Sequence, residues 1–441
     1  MKKTTAIRPY LLAASALCAL AAAPTARASG FGLREGSADW LGNAFVGGEA
    51  KAYDASTAWT NPAGMALLNQ DEIDGNVSYI GPSASFSGYN TDPLTGGTVR
   101  GVQGGNAVTP AASGAMFGVL VLGPDWRVGF SVTNPYGERT SYPTNFVGRY
   151  QSLVSSITGI DFSPSISYKV NNHFSIGGGP VFEYFHARLT QALNVPVLSA
   201  ATGQDPFADV HGSDLGVGYN IGMMYQFDDA TRIGVDYHSR IRHNITGTQS
   251  ISTPPIYSAL SPATVALLGA ENSRATTSIT LPDSIGVGIY HQVNDRLALM
   301  GSLQWTHWAL FNSLHVTPTN GAPGTVINEN WHNTWFAGIG ANYQLSERLM
   351  LQAGFAFDQS PVTDSNRTSR VPDANHYDIG VGAQYKLTPA TTFQLAYGHV
   401  FTPGGSVNTT ASSSLPTPSG TLVGNYSASD NSVTAGVTMK F

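Results

Sequence analysis

The 441-residue chain carries charge on only 11% of its residues, against roughly 25% in an ordinary soluble domain. Mean hydropathy is near zero, and no segment after residue 28 holds 18 consecutive apolar residues, so no membrane-spanning helix is available there. Without the four basic residues of the first 28, net charge falls to about −10, which argues against nucleic acid as a partner.

Residues 1–28 read as a secretory signal peptide. Lys2, Lys3 and Arg8 precede an apolar run from Tyr10 to Ala23, and Ala26-Arg27-Ala28 is a small-x-small cleavage site. The mature chain is therefore expected to start at Ser29; an uncleaved anchor is the alternative. Cys18 is the only cysteine. The mature chain then has no disulfide, thiolate nucleophile or cysteine metal site.

Residues 29–70 do not alternate. Leu33, Ser37, Leu41, Ala44 and Phe45 lie roughly at helical spacing. Asp54 or Ser56 can cap a further turn. Asn61 precedes Pro62 and suits a helix cap, which predicts a short helix over Pro62–Leu68. Trp40, Phe45, Trp59 and Met65 argue against a solvated tail. The segment reads as a plug.

From residue 72 the period is two. At the C-terminus Val433, Ala435, Val437, Met439 and Phe441 share one face, and Ser432, Thr434, Gly436, Thr438 and Lys440 the other. Short polar turns fall at 123–126, 170–173, 227–231, 293–296, 345–348 and 387–390. Long polar stretches alternate with them near 87–112, 135–159, 191–212, 250–273, 317–330, 360–375 and 403–424. Thirteen connections imply about 14 antiparallel strands. The fold class is all-β: a 14-stranded transmembrane barrel over 71–441, plugged by a small N-terminal helical hatch over 29–70.

Glycines fall opposite the aliphatics, as Gly216, Gly218 and Gly222 do against Leu215, Val217, Tyr219 and Ile221. That face reads as the lumen, with room for the plug. Trp126, Trp305, Trp308, Trp331 and Trp335 are expected in interfacial girdles, with a ligand path as the alternative. Asp236, His238, Arg240 and Arg242 are expected to share the lumen face of one strand.

No hydrolase motif or cofactor motif stands out. In 180–188, Phe182, Tyr184, His186 and Arg188 share a face. Turned to the lumen, Phe182 and Tyr184 give an apolar wall and His186 and Arg188 a headgroup contact. Turned outward, they form a belt at the outer rim.

Gly30-Phe31-Gly32 through Asn61-Pro62-Ala63-Gly64-Met65 resembles the hatch of the long-chain fatty-acid transporters of bacterial outer membranes, a family that includes aromatic-hydrocarbon channels. Asn134-Pro135-Tyr136-Gly137, Phe146-x-Gly148-x-Tyr150, Leu281-Pro282-Asp283, Trp305-x-x-Trp308-x-x-Phe311 and Phe357-Asp358 through Pro372-Asp373 are similar along the rest of the chain. The resemblance implies passive uptake of a hydrophobic ligand, captured in the barrel and released sideways at an inward kink of the third strand, here Asn134-Pro135. It makes Asn61, Pro62, Ala63 and Gly64 the hatch motif, and His186 and His332, with Arg188 beside the first, the headgroup contacts. Fatty acids are the first expectation and neutral hydrocarbons the second. Outer-membrane lipid and lipopolysaccharide are the implied surroundings, and the terminal Phe441 resembles a signal for the barrel-assembly machinery. A monomer is expected, with no cofactor. A general diffusion porin is the competing class; a barrel-embedded lipid enzyme lacks a visible nucleophile and base.

Overall fold

The computed structural model describes residues 29–195, 203–252, 273–321, 324–410 and 419–441. The predicted signal peptide lies outside them, as do parts of the connections expected at 191–212, 250–273, 317–330 and 403–424.

Fourteen antiparallel wall strands follow the hatch. They are β1 (Glu72–Thr91), β2 (Ala111–Val121), β3 (Trp126–Ser141), β4 (Val154–Lys169), β5 (Phe174–Ala192), β6 (Phe207–Gln226), β7 (Thr231–His238 with Ile241–Ser252) and β8 (Ser273–Leu281 with Ser284–Gln292). Then come β9 (Leu297–Thr306 with Ser313–Pro318), β10 (Thr325–Asn328 with Thr334–Gln344), β11 (Leu349–Asp358), β12 (His376–Thr388), β13 (Thr391–Thr410) and β14 (Thr421–Lys440). β1 pairs with β14 from Glu72↔Lys440 to Thr91↔Thr421, so the sheet closes without an edge. The six predicted tight turns join strands at the end where the chain leaves the hatch.

The alternation is realised as read. Leu215, Val217, Tyr219 and Ile221 point outward, while Ser432 and Thr434 are buried within. Several outer ends continue as paired strand where the sequence reads as loop, as at 403–410 on β13. Those segments are polar on both faces, which erases the period-two signal.

The hatch fills the lumen against the glycines. A Cβ on Gly222 would strike Asn61 Oδ1; on Gly354, the Asn43 backbone; on Gly380, the backbone of Leu41 and Ala44. Regular structure in the hatch is short: α1 (Ala38–Leu41), α2 (Thr57–Thr60) and a 3-10 turn over Pro62–Leu67. Ser37 caps α1 through its side chain. The predicted helix after Asn61 is thus a 3-10 turn, capped as expected by Asn61 Oδ1, which accepts from the Ala63 N–H. The Asn61 amide donates to the carbonyls of Glu49 (2.6 Å) and Met223 (3.1 Å), tying two parts of the hatch to β6. Buried polar bonds hold the rest. Lys51 pairs with Asp39 at 2.7 Å, and Gln352 and Gln384 donate to Asp39 at 2.9 and 2.7 Å. Such buried pairs add little net stability, but removing one partner would leave the other's charge buried and uncompensated.

Two irregularities break the wall. On β3 the register against β4 shifts between Thr133 and Tyr136, so Asn134-Pro135 forms a bulge. Pro135 has no N–H for a ladder. The β2–β3 ladder covers only Met116↔Val132 to Val121↔Arg127. On β7 the strand breaks at Ser239-Arg240. The break reverses the faces. Asp236 is buried on the inside, whereas Arg240 and Arg242 are exposed, so the four-residue lumen ladder read from the sequence does not form.

Candidate ligand path

Two cavities lie in series inside the barrel. The upper is lined mainly by apolar groups, among them Ile157, Phe185, Ile245, Ile279, Phe311 and Leu314. Arg370, Glu138 and Glu329 supply charge at its wall. The lower is partly open, lies beside the hatch and is far more polar. Arg34, Glu49, Asp161, Glu183 and Asp236 face it, with Trp40 and Trp59.

Phe31 stands between the two. It is fully buried, and its ring centroid lies 5.6 Å from Phe311 of the upper cavity. On the other side it lies 4.9 Å from Trp308 and 5.8 Å from Tyr136, which line the lower chamber. Trp331 completes the cluster at 5.4 Å. Gly30 makes the approach possible: its φ is +67°, and a Cβ there would lie 2.6 Å from the Trp331 ring.

The β3 bulge holds this hatch head. The Leu33 N–H donates to Pro135 O at 2.8 Å, the Gly137 N–H donates to Phe31 O at 3.0 Å, and Gly32 bridges to Tyr136. Backbone groups freed by the bulge are thereby satisfied by the hatch. From the outside, loop 360–375 adds Asp373, whose carboxylate accepts from the Gly30 N–H at 2.9 Å and from Ser360 Oγ at 2.7 Å.

Three residues before Asp373, Arg370 reaches the upper cavity. Its guanidinium donates to Gln191 Oε1 (2.7 Å) and Ser155 Oγ (3.3 Å). Burial pulls its pKa down to about 10, opposed by the nearby Glu329. One loop thus touches both the upper cavity and the head of the hatch.

The predicted headgroup site is not assembled. Phe182 and Tyr184 are 44% and 41% exposed on the outer face of β5, and His186 and Arg188 follow them outward. Arg188 pairs with Asp209 of β6 at 2.6 Å. The inward face is the other one, with Val181, Glu183 and Phe185 buried. Glu183 was the available signal, because a carboxylate facing lipid at that depth is costly. Gly177, Gly178 and Gly179 run consecutively and could not set the parity. His332 lines neither cavity: its N–H donates to Pro361 O at 3.1 Å, and its neighbour Trp331 enters the cluster instead. Trp126 and Trp335 are exposed on the outer surface, while Trp308 and Trp331 turn inward, against the girdle expectation. Phe31 and Arg370 lay within the family-like motifs, but nothing in their spacing gave them these positions.

A closed, apolar-banded barrel with a docked hatch and cavities in series defines an outer-membrane transport protein. The chain belongs to the family described as outer membrane protein transport protein (OMPP1/FadL/TodX), whose model matches residues 19–441. It is 29% identical over 410 residues to a 47 kDa outer membrane protein of Pasteurella multocida, covering 91% of this chain and 93% of that one. It is 26% identical over 382 residues to a long-chain fatty acid transport protein of Shigella flexneri, covering 81% and 84%. Its fold matches the crystal structure of a Pseudomonas aeruginosa FadL homologue with a TM-score of 0.85 at 24% identity, over 94% of this chain and 100% of that one. It matches the Ralstonia pickettii toluene transporter TbuX with a TM-score of 0.66 at 17% identity, over 92% and 99%. The protein is thus an outer-membrane β-barrel of this transport family.

Proposed function

We propose that the protein takes up hydrophobic compounds passively, long-chain fatty acids first among them. Ligand enters the upper cavity from the outer loops, passes Phe31 when the hatch head moves, and leaves the lower chamber through the incomplete β2–β3 seam. The observation that carries this reading is the position of Phe31 between an apolar cavity and a chamber that borders the bulge at Pro135 and Tyr136. An acyl chain gains by moving from one apolar wall to lipid without rehydration. Cleavage before Ser29, insertion by the barrel-assembly machinery, contact with lipopolysaccharide and a monomeric state belong to the same proposal. So does the hatch role of Asn61, Pro62, Ala63 and Gly64.

In this scheme Arg370 receives the polar head of the ligand. A carboxylate there competes with Glu329 for the guanidinium, and loop 360–375 transmits the change to Asp373 and the Gly30 latch. One feature supports neutral hydrocarbons as a second reading. Among the described residues lining the upper cavity, Arg370 is the one arginine or lysine, and the carboxylates of Glu138 and Glu329 line the same cavity. The name of the Shigella relative favours the first reading and that of TbuX the second.

Mass spectrometry of lipids extracted from the purified protein tests the choice. A bound fatty acid whose occupancy falls in Arg370→Gln supports the first reading. A bound hydrocarbon, or fatty acid unaffected by that substitution, overturns it. Large, steady single-channel currents would instead mark an open porin.

A further inference from the structure

We propose that the barrel wall has a second lateral window, between β6 and β7, through which the lower chamber discharges ligand into the membrane independently of the β2–β3 seam. The inference rests on the transport reading above.

The β6–β7 ladder is interrupted in mid-wall. Below, it runs from Asn220↔His238 to Gln226↔Arg232; above, from Phe207↔Ser252 to Ser213↔Thr246. Residues 214–219 between these blocks have no partner in either ladder. Side chains take over part of the pairing. The Ser239 N–H donates to Tyr219 O at 2.9 Å, but the Tyr219 N–H donates to Ser239 Oγ at 2.8 Å, and the Asn244 N–H donates to the Asp214 carboxylate at 2.9 Å. Irregular backbone at membrane depth is tolerated where it borders a cavity. That condition is met here: Tyr219, Ser239 and Ile241 line the same lower chamber that reaches Pro135 and Tyr136.

Little closes this window. Gly216 and Gly218 present no side chains, and Ile241 and His243 lean into the space they leave; a Cβ on Gly218 would lie 2.7 Å from Ile241 Cγ1. His243 is fixed by Glu183 at 2.8 Å and by stacking on Phe185 at 5.0 Å. Ile241 packs against both Gly216 and Gly218 without a polar partner, so in this proposal its rotation, with release of Ser239 from Tyr219, widens the passage. At the outer mouth Leu215 is 74% and Val217 64% exposed, an apolar lip toward lipid. Next to the window, β8 is also broken, at Pro282-Asp283. Asp283 ties Arg240 and His307 at 3.1 Å each. The breaks in β7 and β8 thus lie side by side in the wall.

Because the chain from Ser29 on has no cysteine, each opening can be locked separately. Ser113→Cys with Asn134→Cys closes the β2–β3 seam, where the native side chains already meet at 3.3 Å. Gly218→Cys with Ile241→Cys closes the window. Uptake of radiolabelled oleate and of toluene is measured in cells, before and after reduction of the disulfides. The expected result is partial loss with either lock, background uptake with both, and recovery on reduction. In the seam-locked protein, Ile241→Ala should raise the residual uptake. Complete loss with the seam lock alone, or no effect of the window lock, overturns the second window. Unchanged uptake with both locks overturns lateral release at either place. Wild-type protein that takes up neither probe overturns the transport reading itself.

Discussion

The Gly30 N–H donates to the Asp373 carboxylate at 2.9 Å, joining the head of the hatch to the outer loop that carries Arg370. A hydrogen bond to a buried charged acceptor contributes roughly 1.5–3 kcal/mol. Asp373→Ala should therefore free residues 30–34. Hydrogen exchange at these amides should accelerate by roughly tenfold or more, while β-barrel amides stay protected. Equal protection in both proteins would show that the latch lies elsewhere.

Phe31→Ala removes the ring between the two cavities. Truncating a fully buried Phe costs about 3–5 kcal/mol, and here the loss falls on the ring cluster that separates the cavities, since the barrel closes through β1 and β14 without it. We expect faster probe uptake with an unchanged barrel melting temperature. Slower uptake would mean that the ring guides the ligand and does not block it.

Asn61→Ala deletes two bonds to carbonyls and the cap of the 3-10 turn. The barrel should still assemble, but uptake should fall because the lower hatch no longer docks in one position. Electrophoretic mobility of the folded barrel checks the first point, and uptake the second. Wild-type uptake would remove this residue from the mechanism.

Neighbouring positions on β12 give a face test. Gly380→Val places side chain into the backbone of Leu41 and Ala44 and should displace the hatch, raising single-channel conductance. Ile379→Val changes only the lipid-facing side, 43% exposed, and should leave conductance unaltered. Equal behaviour of the two would contradict the docked position.

Hatch docking should weaken as pH rises. Burial, then repulsion from Asp430, lifts the Glu35 carboxyl from 4.5 to about 8; Asp378 adds to this, and the N–H groups of Arg34 and Glu35 oppose it. The docked hatch holds a proton that a released hatch loses. Docking is favoured most below about pH 4.5 and loses at most ~1.4 kcal/mol per unit up to pH 8. Exchange of hatch amides, corrected for intrinsic rates, should rise between pH 5 and 8 and flatten in Glu35→Gln. A flat profile in the wild type would refute the assignment.

The barrel was legible in the sequence because a membrane wall imposes period two on every strand, and the turn residues mark where it stops. Strand number, closure and the lumen face of Gly216, Gly218 and Gly222 follow from that constraint. So does the Asn61 cap, which depends on neighbours in the chain. The alternation could not show which face of β5 turns inward, since three successive glycines carry no parity, nor that β7 reverses its faces at Ser239-Arg240.

Only the tertiary structure put Phe31 between two cavities and brought Asp373 to Gly30, 343 residues away in the chain. Local periodicity reports what a residue sees along its own strand. A path through the lumen is made where the hatch, the β3 bulge and an outer loop meet, and those contacts exist only after the barrel has closed around the hatch.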